Sequence, residues 1–299
     1  MKLLPPKNKN ISAFMIVSTF FTLWLAVFMD NEVEAILSYF FVFSFGIMHG
    51  ANDLKLIQQT TGLGTRTFYF RALFSYLLVI GIIALFFSLV PVLALAFFIL
   101  ASAYHFGEQH WVSRISLKNA FSGIFYTAFG LIIFFLLFYF HAVEVSQIIF
   151  DVTEFAIPEA FYLYGLLASG FIFLAMLGWI VIKGHVVTHV FEELFYLLVF
   201  YILFQSASLL WGFSIYFVIW HSIPSLLDQL QFLSGEISKQ AIWAYCKSSF
   251  LYWIASLIGL GGLFYLLQGQ DKLFISILIY FLAAITFPHV LVMNKLNKG

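Results

Sequence analysis

The side chains with most chemistry to offer in this sequence are its eight histidines. Four of them close long apolar stretches. His49 stands in Gly46-Ile47-Met48-His49-Gly50-Ala51-Asn52-Asp53 and His105 in Tyr104-His105-Phe106-Gly107-Glu108-Gln109-His110. His221 stands in Trp220-His221-Ser222, and His289 directly follows Pro288. Neutral imidazoles suit iron, zinc or copper. Zinc held by four of them would keep no open position and would be structural, so iron is the better metal if oxygen chemistry is involved. Asp53 follows His49 by four residues, on the same face if the helix continues. A carboxylate there would take the second ring N–H and fix the tautomer. Glu108 and His110 accompany His105, Asp228 follows His221, and Pro288 loosens the backbone ahead of His289. Glu192 and Glu193 follow the His185-Val186-Val187-Thr188-His189 spacing. That pattern reads either as carboxylate and imidazole ligands on one helix face or as solvated residues at the positive end of a helix dipole. The histidines likewise have a plain reading, as interfacial hydrogen-bonding groups at helix ends.

The elements that must position these residues follow from composition. Of 299 residues, 63% are hydrophobic, 21% aromatic and 9% charged, against about 25% charged in a soluble domain. A single aqueous core cannot absorb that much apolar surface, whereas a bilayer tolerates it when the backbone is helical. The expected fold is all-α: a polytopic transmembrane helical bundle forming one integral membrane domain over 1–299. At about 20 apolar residues per span, ten spans are expected: 11–29, 34–50, 67–88, 91–107, 119–142, 159–183, 189–205, 209–224, 246–267 and 272–291. Soft boundaries allow eight to ten. The first span lacks a small-residue cleavage site and reads as a retained helix. Net charge is zero, which gives no basis for nucleic-acid binding. The single cysteine, Cys246, rules out an internal disulfide framework.

Charge patterning orients this expected bundle, because short cytoplasmic loops are rich in Lys and Arg. With ten spans and the N-terminus inside, the inner segments take Lys2, Lys7, Lys9, Lys55, Arg66, Arg71, Arg114, Lys118, Lys183, Lys239, Lys247, Lys295 and Lys298. The outer segments take only Lys272. Both termini are therefore expected in the cytoplasm. On this map His49, His105, His221 and His289 end four outward-to-inward helices near the cytoplasmic edge. His110, His185 and His189 share that side, and His141 alone is at the outer edge.

The segments His49-Gly50-Ala51-Asn52-Asp53, Tyr104-His105-Phe106-Gly107, Trp220-His221-Ser222 and Pro288-His289, in this order and spacing over nearly the whole chain, resemble the Brp/Blh family of membrane β-carotene 15,15′-dioxygenases. The resemblance implies oxidative central cleavage of β-carotene by O2 to two molecules of retinal, at a histidine-ligated non-haem Fe(2+). It implies His49, His105 and His221 as ligands. Two departures bear on the fourth: Ser225 stands where many relatives carry a second histidine, and His110 where relatives often carry an aspartate. His289, at the matching depth, is the favoured fourth ligand and His110 the second choice. Asp53, Glu192, Glu193 and Asp228 are candidates for the layer behind the ligands. The implied setting is a multi-pass protein of the cell (inner) membrane, surrounded by lipid that dissolves its substrate, with retinal linking it to a microbial rhodopsin.

Two other classes stay open from the residues. A membrane di-iron hydroxylase or desaturase acting on a lipid or carotenoid is favoured by the HxxxH spacing at His185 and His189, although no HxxHH cluster accompanies it. A transporter, or a retinoid- or haem-binding protein, would use the histidines as proton relays or axial ligands.

Overall fold

The computed structural model describes residues 9–61, 66–117, 120–186 and 188–298. Lys2, Lys7 and Lys118 of the charge pattern lie outside the described residues, as do Val187 and the side chains of Lys9, Arg66, Lys272, Lys295 and Lys298. The first helices are α1 (Lys9–Ala26), α2 (Asn31–Gly50), α3 (Asp53–Thr61), α4 (Arg66–Leu89) and α5 (Pro91–Trp111). Next come α6 (Ala120–Phe140), α7 (Ala142–Thr153), α8 (Ala160–Ile182), α9 (Val190–Ser206) and α10 (Leu209–Ile215). A π-helical stretch, Tyr216–Ser222, leads into α11 (Ile223–Ser234), followed by α12 (Lys239–Leu266) and α13 (Asp271–Lys298). The expected all-α class is what the chain adopts; among the described residues the only β feature is the isolated bridge Ile115–Val186.

Among the described residues, seven helices are long and apolar enough to cross a membrane: Asn31–Gln59, Phe70–Leu89, Pro91–Trp111, Ala120–Phe140, Ala160–Ile182, Leu209–Ser234 and Ile275–Asn294. Each overlaps an expected span, although Asn31–Gln59 and Leu209–Ser234 run well past the expected 34–50 and 209–224. The other three expected spans fall on α1, α9 and α12. The described part of α1, Asn10–Ala26, is a shorter apolar helix. α9 has 17 residues, a rise of about 26 Å against a hydrocarbon core of roughly 30 Å. Three short helices, α3, α7 and nearly all of α11, lie outside the expected spans. In α7, Val145, Ile149 and Val152 are buried while Val143 is exposed, an amphipathic stripe rather than a span. In α3, Leu56 is buried beside exposed Lys55.

The chain forms two compact units, each assembled from three separated segments. The first comprises Met1–Phe40, Ile99–Gln147 and Ala156–His221. Its interior centres on α6, where Phe125 and Phe129 pack with Trp111 of α5 and Phe173 of α8. α5 and α6 touch backbone to backbone. A Cβ on Gly107 would collide with the Tyr126 backbone, and one on Gly130 with that of Ala103. These two contacts, four residues apart on each helix, bracket His105. Small residues at such crossings let apolar helices approach where lipid offers no hydrophobic drive.

The second unit comprises Phe41–Phe98, Ile148–Phe155 and Ser222–Gly299. α13 lies against α3 and α4. Phe287 stacks on Phe97 at 5.0 Å, Phe87 meets Tyr280 at 4.6 Å, and Leu56 packs with Val292 and Met293. Leu230, Ala241 and Tyr245 form a further buried cluster between α11 and α12.

Candidate functional site

In the second unit the structure brings His49 and His289 together, their ring centroids 4.7 Å apart and nearly perpendicular. Both are buried. His289 is delivered by α13 one residue after Pro288, the proline inside that helix. Its Nδ1 donates to Asp53 Oδ1 over 2.8 Å, and the other carboxylate oxygen accepts from the Tyr76 hydroxyl at 3.3 Å. His49 Nδ1 lies 3.2 Å from the carbonyl of Phe45, one turn back in α2. The expected partner of Asp53 was His49; the partner observed is His289. The reason is local. α2 ends at Gly50 and α3 begins at Asp53, so no continuous helix carries Asp53 back under the His49 ring.

A buried polar network supports the His49 segment. Gln229 Nε2 donates to the His49 carbonyl at 2.8 Å and to Ser225 Oγ at 3.3 Å, while its Oε1 accepts from the Tyr245 hydroxyl at 2.7 Å. Ser248 Oγ donates to Asn52 Oδ1 at 2.6 Å. Ser225 is fully buried within this network. Asp228 is half-buried on the same helix, α11.

In the first unit His105 and His221 form a second perpendicular pair, 4.9 Å between centroids and buried. Around His221 the rings of Phe106 and Phe217 stand at 4.4 and 5.5 Å. Gln109 Nε2 donates to the His221 carbonyl at 2.8 Å, and Trp220 Nε1 donates to Thr19 Oγ1 at 2.9 Å. His221 lies within the π-helical stretch, whose i→i+5 bonding is a frequent feature of functional sites. Pro224 supplies a cause: it has no N–H for the Trp220 carbonyl, and its ring crowds that oxygen. Beside His105, the Tyr104 hydroxyl donates to Glu108 Oε1 at 2.9 Å.

His110 is committed elsewhere. Its Nε2 meets Glu193 Oε2 at 2.7 Å, Arg114 Nε meets Glu193 Oε1 at 2.5 Å, and an Arg114 guanidinium nitrogen donates to the His110 carbonyl. All three side chains are buried. Glu193 therefore anchors α9 to the end of α5 through His110 and to the turn that follows it through Arg114. Glu192, one residue away, is exposed. His185 is half-buried with its ring 3.2 Å from Ser116 Oγ, His189 is exposed ahead of α9, and His141 Nε2 lies 3.1 Å from the Phe204 carbonyl.

Arg114, Tyr76, Gln109 and Gln229 carry these arrangements without having been singled out from the sequence. Arg114 had a signal, one helical turn after His110. Gln229 and Tyr76 had a fainter one, a polar group inside an apolar helix that needs a partner when buried.

Among the described residues no group of three or more His, Cys, Asp or Glu side chains stands ready to hold a metal ion. The imidazoles come as pairs. In His289 and His49, Nδ1 donating to Asp53 and to the Phe45 carbonyl leaves the lone pair on Nε2, the atom such an imidazole offers to a metal.

Residues 40–297 match the family model described as Beta-carotene 15,15'-dioxygenase. No curated protein and no solved structure matches the chain.

Proposed function

The chain belongs to the beta-carotene 15,15'-dioxygenase family, and from that membership we propose that it cleaves the central 15,15′ double bond of β-carotene with O2. The C=C and O–O bonds break and two C=O bonds form, so one polyene and one O2 give two molecules of retinal with no other reductant. The observation that carries this reading is the family match across residues 40–297, with all four motif histidines buried in an apolar chain.

His49, His105, His221 and His289 are the proposed holders of Fe(2+), which when bound supplies the engagement of O2. The protein's own share is positional. Asp53 and the Phe45 carbonyl fix the ring tautomers of His289 and His49. Gln109 fixes the His221 main chain, and the Gly107 and Gly130 contacts fix the height of His105. Aromatic packing around the His105–His221 pair excludes water, which protects a reactive oxygen chemistry from side reactions. A long rigid polyene also gains from being held in register with the reacting atoms.

The substrate dissolves in lipid, so a multi-pass protein of the cell membrane meets it where it resides. Retinal would then pass to a microbial rhodopsin. The test is expression in β-carotene-producing cells with extraction of retinal. Loss of carotene colour with retinal formed, and neither in His221→Ala, supports the proposal. Persistent colour without retinal in the parent chain overturns it.

A further inference from the structure

Between Trp211 and Ser222 every residue is buried except Phe213 and Phe217, which are half-buried. Their rings stack at 5.4 Å with 14° between planes, and Phe217 continues onto His221 at 5.5 Å and 24°. Three near-parallel rings thus rise along one face, spaced four residues apart, and end on a histidine of the His105–His221 pair. The helix geometry explains the alignment. In an α-helix a step of four overshoots a full turn by about 40°, so a ladder of fours would drift round the helix. The wider turns of Tyr216–Ser222 reduce that overshoot and keep positions 213, 217 and 221 in line. Phe106 closes the lower end, 6.2 Å from Phe217 and 4.4 Å from His221, and itself stacks on Phe134 at 5.4 Å and 11°.

We propose that the ladder Phe213–Phe217–His221, with Phe106 at its foot, is the track along which one conjugated arm of the substrate lies, bringing its central double bond to the His105–His221 pair. This rests on the reading of the chain as a carotene-cleaving enzyme. Flat conjugated hydrocarbon matches what Phe213 and Phe217 offer: near-parallel aromatic rings that carry no hydrogen-bonding group, and an exposure confined to these two positions between Trp211 and Ser222. The ladder is continuous with the histidine pair. Phe213 and Phe217 are substrate-positioning residues that act through stacking and take no part in bond making.

The test uses the full-length chain in lipid vesicles, with β-carotene as probe. Polyene binding is followed by the circular dichroism that the bound chromophore acquires, and turnover by retinal released. Phe217→Leu and Phe213→Leu keep apolar bulk and remove the ring. Each should raise the KM and weaken polyene binding roughly three- to tenfold, the scale of one aromatic stacking contact, with kcat changed little. Phe171→Leu, at a ring exposed on α8, should leave both unchanged. Parental KM and binding in both folded ladder variants, while the parent chain releases retinal, overturns the track and leaves the proposed reaction standing. Absence of retinal and of polyene binding in the parent chain overturns both. Competition by saturated phospholipid chains as strong as that by β-carotene would show a lipid seat in place of the track.

Discussion

Asp53 and His289 are 236 residues apart in sequence and 2.8 Å apart in the structure, carboxylate oxygen to Nδ1. Both are buried, and Tyr76 secures the second carboxylate oxygen. Asp53→Ala should therefore disorder the His289 ring, and Asp53→Asn should keep its place while weakening its basicity. The expected loss of iron affinity is about 10- to 100-fold for Asp53→Ala, less for Asp53→Asn, and only a few-fold for Tyr76→Phe. Iron content per chain, measured at graded free iron, checks the order. Equal iron retention in all three variants would remove Asp53 from any role behind the metal.

The ligand set is tested residue by residue. His49→Ala, His105→Ala, His221→Ala and His289→Ala should each lower retinal formation by at least about 100-fold and lower the iron bound, with one iron per chain in the parent. A variant that keeps full iron and full activity is no ligand. Two irons per chain would instead favour the hydroxylase or desaturase class.

His110 provides the contrast. Its Nε2 faces Glu193, so His110→Gln should keep the iron while losing stability. Loss of iron from a folded His110→Gln protein would restore His110 as a ligand.

The Glu193 clamp should matter through stability. Glu193→Ala leaves the Arg114 guanidinium buried without its carboxylate, and breaking a buried pair from one side costs about 3–5 kcal/mol. Thermal unfolding in detergent should show a marked drop. Glu192→Ala, at an exposed position, should be nearly silent.

The α5–α6 contact predicts a sharp difference among glycines. Gly107→Ala and Gly130→Ala drive a methyl group into main-chain atoms of the facing helix, so neither neighbour can yield by turning a side chain. About 1–3 kcal/mol or more of destabilisation is expected, with retinal formation falling as His105 shifts. Gly178→Ala, with open space around it, should leave yield and melting temperature unchanged.

Much of this protein is readable without coordinates. Apolar run lengths determined the all-α membrane class, and seven of the expected spans recur as helices long and apolar enough to cross a bilayer. That succeeds because a bilayer dictates both composition and secondary structure. The motif histidines stood out for a similar reason, because an ionisable side chain in apolar surroundings is expensive, and all four are buried in the structure. What local sequence could not decide was pairing. His49 joins His289 and His105 joins His221, Asp53 serves His289 instead of the histidine four residues before it, and Glu193 serves His110. Each pairing depends on where helices end and how closely they pack. The break between Gly50 and Asp53, the π-helical stretch before Pro224 and the Gly107–Tyr126 contact set those terms. Periodicity reports which face of a helix is apolar; only tertiary packing decides which buried donor meets which acceptor.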